Sequence, residues 1–211
     1  MNPKLIIEFI GTFFLVLTVA LTGEPIAIGG VLIALVYMGG YVSGANYNPA
    51  VTFALYLNNK IEKTLALQYI GIQLLAGLIA SAVYLAIQGQ YFIPAPSEAA
   101  GMGPAFLVEV FYTFLLCTVV LHVAATDKVK DNNYYGMAIG LTLMVAAFAG
   151  GKISGGAFNP AVGVSPLVFD IKNLESRLMH VTLYIIGPMT GAVLSGLVYQ
   201  FIHKKPFMIF K

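Results

Sequence analysis

Apolar residues run through the chain in long blocks separated by glycine, proline and charged positions. The blocks are Leu5 to Thr22, Ile26 to Ser43, Leu65 to Ile87, Ala105 to Ala125, Tyr134 to Ala149 and Val181 to Ile202. Each approaches the ~20 residues that a helix needs to cross a bilayer core. Two further apolar segments, Pro49 to Leu57 and Pro160 to Phe169, are too short to cross. A short apolar segment beside a turn predicts a half-helix that enters the membrane and stops within it. The pattern therefore predicts an all-α membrane protein with six transmembrane helices plus two re-entrant half-helices.

The blocks also repeat. The stretch from Glu8, EFIGTFFLVLTVA, has a counterpart from Glu109, EVFYTFLLCTVVL, and VSGANYNPAVTFALYL from Val42 has one in ISGGAFNPAVGVSPLV from Ile153. This organises residues 1–211 as one membrane domain: a first repeat over about 1–88, a connector over about 89–103 that is expected to be extracellular, and a second repeat over about 104–211. Each repeat holds three full spans. Three is odd, so the second repeat enters from the opposite side and the two are inverted. Inverted repeats are common in transport proteins, whose site lies where the halves meet near the midplane.

Composition agrees. Charged residues make up 9% of the chain and hydrophobic ones 59%, whereas a soluble domain carries roughly 25% charged residues. Lipid must surround most of the surface. The net charge of +2 gives no reason to expect a nucleic-acid partner. The first apolar run does not read as a cleaved signal peptide, because no cleavage pattern follows it. With both termini inside, the inner side holds Lys4, Lys60, Lys63, Lys128, Lys130, Lys204, Lys205 and Lys211, and the outer side only Lys152, Lys172 and Arg177. That bias predicts cytoplasmic termini in a multi-pass protein of the cell membrane.

The chemistry sits in two triplets, Asn48-Pro49-Ala50 and Asn159-Pro160-Ala161, each following Ser-Gly-x-x-x. Asparagine is a good N-cap and proline suits the first helical position. Each triplet should start a half-helix whose positive dipole end points to the membrane centre. A cation there would lose hydration and meet two repulsive dipole ends, whereas a neutral solute could accept hydrogen bonds from the Asn48 and Asn159 amides. Irregular backbone at this depth is tolerated only when buried in protein or lining a wet cavity. Glu8 and Glu109 are ionisable residues inside spans and need partners. They either brace the loop backbone or relay protons in a coupled carrier, and their recurrence in step with the triplets favours bracing.

Paired Asn-Pro-Ala triplets, a glutamate opening the first and fourth spans, and six spans with two half-helices are similar to the aquaporin (major intrinsic protein) family. The resemblance covers essentially the whole chain. It implies an aquaporin-like fold, a loop-bracing role for Glu8 and Glu109, and a homotetramer with one pore per subunit. It also implies a selectivity filter, which on this chain falls at Ile28, Ala147, Gly156 and Val162. A water-selective member places an aromatic, a histidine and an arginine there, and this chain has none of them. Val162 stands at the arginine position, as in some plant vacuolar-type members that look permissive for small neutral solutes. Gly163 stands where glycerol-type members usually have aspartate. Asn46 stands where the family often has histidine, which argues against pH gating there.

The reading is therefore a passive channel for water and other small uncharged solutes such as glycerol or urea, with membrane lipid as its solvent. The alternative is a secondary transporter built on inverted repeats, which would need more ionisable groups near the midplane. No phosphate loop, nucleophile elbow or metal-ligand cluster is visible, so no enzymatic activity, cofactor or metal is expected. His122, His180 and His203 fall near membrane edges and are expected neither to cluster nor to act as ligands. The spacings Gly136-x-x-x-Gly140 and Gly187-x-x-x-Gly191 allow close helix approach. Cys117 is expected to serve packing.

Overall fold

In a computed structural model of the chain, residues 2–169 and 174–204 are described. Among them lie α1 (Pro3–Thr22), α2 (Pro25–Ser43), α3 (Pro49–Leu57), α4 (Lys63–Gln88), α5 (Met102–Val123), α6 (Tyr135–Ser154), α7 (Pro160–Val164) and α8 (Leu174–Ile202). All except α3 and α7 are long and apolar enough to cross a membrane. A 3-10 segment, Ser165–Phe169, extends α7.

Local signals set the boundaries. Asn2 caps α1 by accepting a hydrogen bond from the Lys4 amide, and Pro3 occupies its first turn. Gly23 ends it in the left-handed region, with its N–H on the Val19 carbonyl 3.0 Å away. Two ends differ from the apolar pattern. Helix α6 continues past Ala149 to Ser154, and α8 begins at Leu174 rather than Val181. Hydropathy marks where a helix meets lipid, but backbone hydrogen bonding carries it further, through Gly150, Gly151 and Lys152 in α6.

Glycines close the crossings. A Cβ on Gly140 would lie 2.6 Å from the Gly29 carbonyl oxygen, so α2 and α6 touch backbone to backbone. A Cβ on Gly191 would lie 2.5 Å from the Val110 carbonyl oxygen on α5. Both small-residue spacings thus serve internal packing, which in lipid rests on close van der Waals approach. The outward faces carry exposed apolar side chains such as Phe111, Met179 and Phe201. Lipid covers such faces at no cost.

Helix α1 begins, and α8 ends, on one face, which also carries Lys60 and Asp127, joined by a 3.8 Å ion pair. The α1–α2 turn and the α4–α5 connector lie on the opposite face. There the Ser97 amide donates to the Ile153 carbonyl at the end of α6. Lys172, Lys205 and Lys211 lie outside the described residues, as does the side chain of Arg177.

Candidate functional site: a pore between two half-helices

Each half-helix is reached through a loop of unusual backbone. Gly44, Ala45 and Tyr47 all have positive φ, as do Gly155, Gly156 and Phe158 in the second repeat. For alanine, tyrosine and phenylalanine this costs on the order of 1–3 kcal/mol per residue. The glutamates offset it. Glu8 accepts hydrogen bonds from the Asn46 and Tyr47 amides at 2.9 and 2.8 Å, from the Ser43 hydroxyl at 2.7 Å and from Gln73 Nε2 at 2.8 Å. Glu109 accepts from the Ala157 and Phe158 amides at 3.0 and 2.7 Å and from the Ser154 hydroxyl at 2.7 Å. Bonds to a charged acceptor are worth about 1.5–3 kcal/mol each. The braced loops bring Ala45, Gly156 and Ala157 to the border of a central cavity.

The half-helices meet through their caps. Asn48 Oδ1 accepts from the Ala50 amide at 2.8 Å, while Nδ2 donates to the Phe158 carbonyl at 2.9 Å. Asn159 mirrors this, with Oδ1 on the Ala161 amide and Nδ2 on the Tyr47 carbonyl, both at 2.9 Å. Each NH2 group has two hydrogens, so each keeps one for the cavity that both residues line. Pro49, Ala50, Pro160 and Ala161 are buried in the first turns behind the caps.

That cavity is narrow. It runs from Val19 and Ile28, near the α1–α2 turn, past Asn48 and Asn159 to Val120. The volume open to the centre of a water molecule is about 20 Å³, against about 660 Å³ in the vestibule that opens on the face of the chain ends. Its walls are aliphatic apart from three asparagines, Asn46, Asn48 and Asn159, and among the described residues no ionisable side chain borders it. Ile28, Gly156 and Val162 line it together. Ala147 does not. It sits half-buried one turn beyond Leu143, and Leu143 and Ile139 are the α6 residues that face the cavity. Glu8 and Glu109 lie fully buried behind the loops, outside the lining.

Two other residues escaped the sequence reading. Gln73 and Thr52, both fully buried, connect Glu8 to Asn46 at the cavity wall. A glutamine inside the apolar block of α4 was the available signal. The histidines do not all stay apart as expected: the ends of α5 and α8 meet, which brings the His122 and His203 ring centroids to 5.6 Å beside Tyr199. Among the described residues no group of three metal-ligand side chains forms.

Comparison with known proteins places this geometry. The description of the major intrinsic protein family matches residues 20–199. A glycerol uptake facilitator protein-like 6 of Lactiplantibacillus plantarum is 33% identical over 92% of this chain and 94% of its own length. Aquaporin AqpM of Methanothermobacter thermautotrophicus is 30% identical over 96% of this chain and 98% of its own. The X-ray structure of the aquaglyceroporin from Plasmodium falciparum superposes with a TM-score of 0.79, covering 95% of this chain and 96% of that one, at 18% identity. That structure shares the fold of six spans and two half-helices in inverted repeats. With a family match over most of its length and relatives aligned nearly end to end, the chain belongs to the major intrinsic protein family.

Proposed function

We propose that the chain is a passive channel for water and other small uncharged solutes such as glycerol or urea, and that it has no enzymatic activity. The observation that carries this is the narrow cavity through the centre. It is bordered by two asparagine amides and by no ionisable side chain. The relatives named for glycerol uptake and as aquaporins support the same reading. A gradient-coupled carrier needs ionisable groups along the route, whereas Glu8 and Glu109 sit behind the loops with their oxygens engaged. The filter is assigned to Ile28, Gly156 and Val162, with Ala147 beyond the narrow part. The chain forms a single channel domain, and its family points to a homotetramer with one pore per subunit. Lys4, Lys60 and Lys128 on the face of the chain ends favour cytoplasmic termini in the cell membrane.

Proteoliposomes test the reading. Under an osmotic step they are expected to pass water, and with an inward gradient of urea or glycerol to swell, at rates independent of any proton or sodium gradient. Uphill accumulation of a solute would overturn it.

Val162 tests the filter. Its side chain is buried at the cavity wall and its amide donates to the Asn159 carbonyl at 3.0 Å. Arginine there adds bulk, a fixed charge and several donors to a narrow space. Val162→Arg is expected to lower urea and glycerol flux more than water flux, provided that melting and oligomeric state match the parent. An unchanged water-to-urea ratio in a folded variant would place the filter elsewhere.

A further inference from the structure

The two halves are symmetric in their caps and glutamates but not in what surrounds them. Tyr69 donates to the Ser43 carbonyl at 2.8 Å, and Tyr184 to the Ser154 carbonyl at 2.6 Å. One turn beyond each tyrosine stands Gln73 in the first half and Pro188 in the second. Thr52 on α3 corresponds to Gly163 on α7, and Asn46 to Ala157. Gly163 leaves no room for a hydroxyl, because a Cβ there would overlap Tyr184. Among the described residues, the Gln73–Thr52–Asn46 chain from the glutamate to the cavity wall thus has no matching set of side chains at Pro188, Gly163 and Ala157 in the other half.

The donors and acceptors of that chain are fixed from its buried end. A carboxylate only accepts, so Gln73 must turn Nε2 to Glu8, 2.8 Å away. The same NH2 donates to Thr52 Oγ1 at 3.0 Å, and the Thr52 hydroxyl returns its hydrogen to Gln73 Oε1 at 3.3 Å. With that hydrogen committed, Thr52 Oγ1 can only accept from Asn46, whose Nδ2 donates to it at 3.1 Å. The Asn46 carbonyl, Oδ1, is left facing away. It takes no hydrogen bond from a described residue, and a Cβ on Gly44, a vestibule residue, would lie 3.6 Å from it.

Asn46 and Val120 both line the narrow cavity and the wide vestibule. The neck between the two spaces therefore runs between them, one wall polar and the other aliphatic. We propose that Asn46 Oδ1 is a specificity-determining acceptor at this neck, and that Thr52 and Gln73 are positioning residues that hold it there. A solute leaving the vestibule sheds water and replaces one lost bond by donating to Asn46. At the centre it accepts from the spare hydrogens of Asn48 and Asn159. The route thus favours neutral molecules that carry both an O–H or N–H donor and an acceptor, the class that includes water, urea and polyols. This inference deepens the channel reading and rests on it.

The test is a set of single and double variants in proteoliposomes, with flux normalised to folded channel. Asn46→Ala removes the acceptor and widens the neck. One net hydrogen bond lost at a constriction is expected to cut water permeability about three- to tenfold despite the wider opening, and urea permeability with it where the parent passes urea. Asn46→Leu, closer in size, should cut it as well. Thr52→Val, away from the cavity surface, frees the Asn46 amide to turn its NH2 to the neck. It should lower flux in the parent but change nothing further in the Asn46→Ala background, because its effect runs through Asn46. Equal effects of Thr52→Val in both backgrounds, or an Asn46→Ala channel that conducts at or above the parent rate, would overturn the proposal and leave the channel reading standing. A folded parent that conducts no water would remove the channel reading itself.

Discussion

A leucine in place of Glu8 is expected to leave no folded protein to purify. Four donors converge on this carboxylate: the Ser43 hydroxyl, the Asn46 and Tyr47 amides and Gln73 Nε2. A buried donor left without a partner costs about 1–3 kcal/mol. Four of them approach the ~5–15 kcal/mol by which a typical protein is stable at all. The loop would also lose what holds Ala45 and Tyr47 at positive φ. Glu8→Gln keeps the size and one acceptor oxygen but turns an NH2 towards donors, so an intermediate loss is expected, a melting temperature lower by roughly 5–10 °C. Glu109 accepts from three donors and has no glutamine partner, so the same substitutions there should cost less. The yield of folded protein for the two leucine variants and the melting curves of the two glutamine variants in detergent give the order. A Glu8→Gln protein that melts with the parent and loses only flux driven by a proton gradient would show a proton relay instead of a brace.

Asn159→Asp should abolish most conduction while keeping the helix cap. A carboxylate oxygen still accepts from the Ala161 amide, where Asn159 Oδ1 now sits at 2.9 Å, and a negative charge suits the positive end of α7. The second oxygen, however, would face the Tyr47 carbonyl oxygen, which Nδ2 now meets at 2.9 Å. An acceptor opposite an acceptor gains nothing, and the hydrogen that Nδ2 offered to the cavity is gone. The middle of the cavity wall then holds a charge that must be desolvated or protonated, at a cost of several kcal/mol. Since about 1.4 kcal/mol is a tenfold change in rate, water flux per folded channel should fall at least about tenfold. Asn48→Asp should do the same, because Asn48 makes the mirrored pair of bonds. Stopped-flow light scattering on vesicles with quantified, folded protein measures both. Two folded variants that conduct at the parent rate would mean that these amides do not border the route.

The half-helices were legible because their signals are local. Pro49 and Pro160 open α3 and α7 where the triplets placed them, and Asn48 and Asn159 cap them. The glutamates were legible for a different reason: an acid inside an apolar block must have partners, and each copy stood at the matching place before its triplet. Ala147 stands one turn beyond Leu143 on the face of α6 that also carries Ile139, so counting along the chain gave its face but not where the narrow cavity stops. The Asn46–Thr52–Gln73 chain was missed because its members lie on a loop, a half-helix and a full span, each unremarkable alone.

The sequence by itself determined that the chain crosses a membrane six times, that its halves are inverted, and that two asparagine-capped half-helices meet inside. Length of apolar runs, parity of spans and capping chemistry carry that information one segment at a time. Only the tertiary structure decided which residues face the lumen. A membrane helix is apolar on the lipid side and, in this protein, almost equally apolar on the pore side, so no polar stripe marks its rotation. That rotation is set where helices touch, at contacts such as Gly29 on Gly140 and Gly191 on Val110. Position along the chain therefore fixed the order of segments through the membrane, and packing fixed which residues border the narrow cavity.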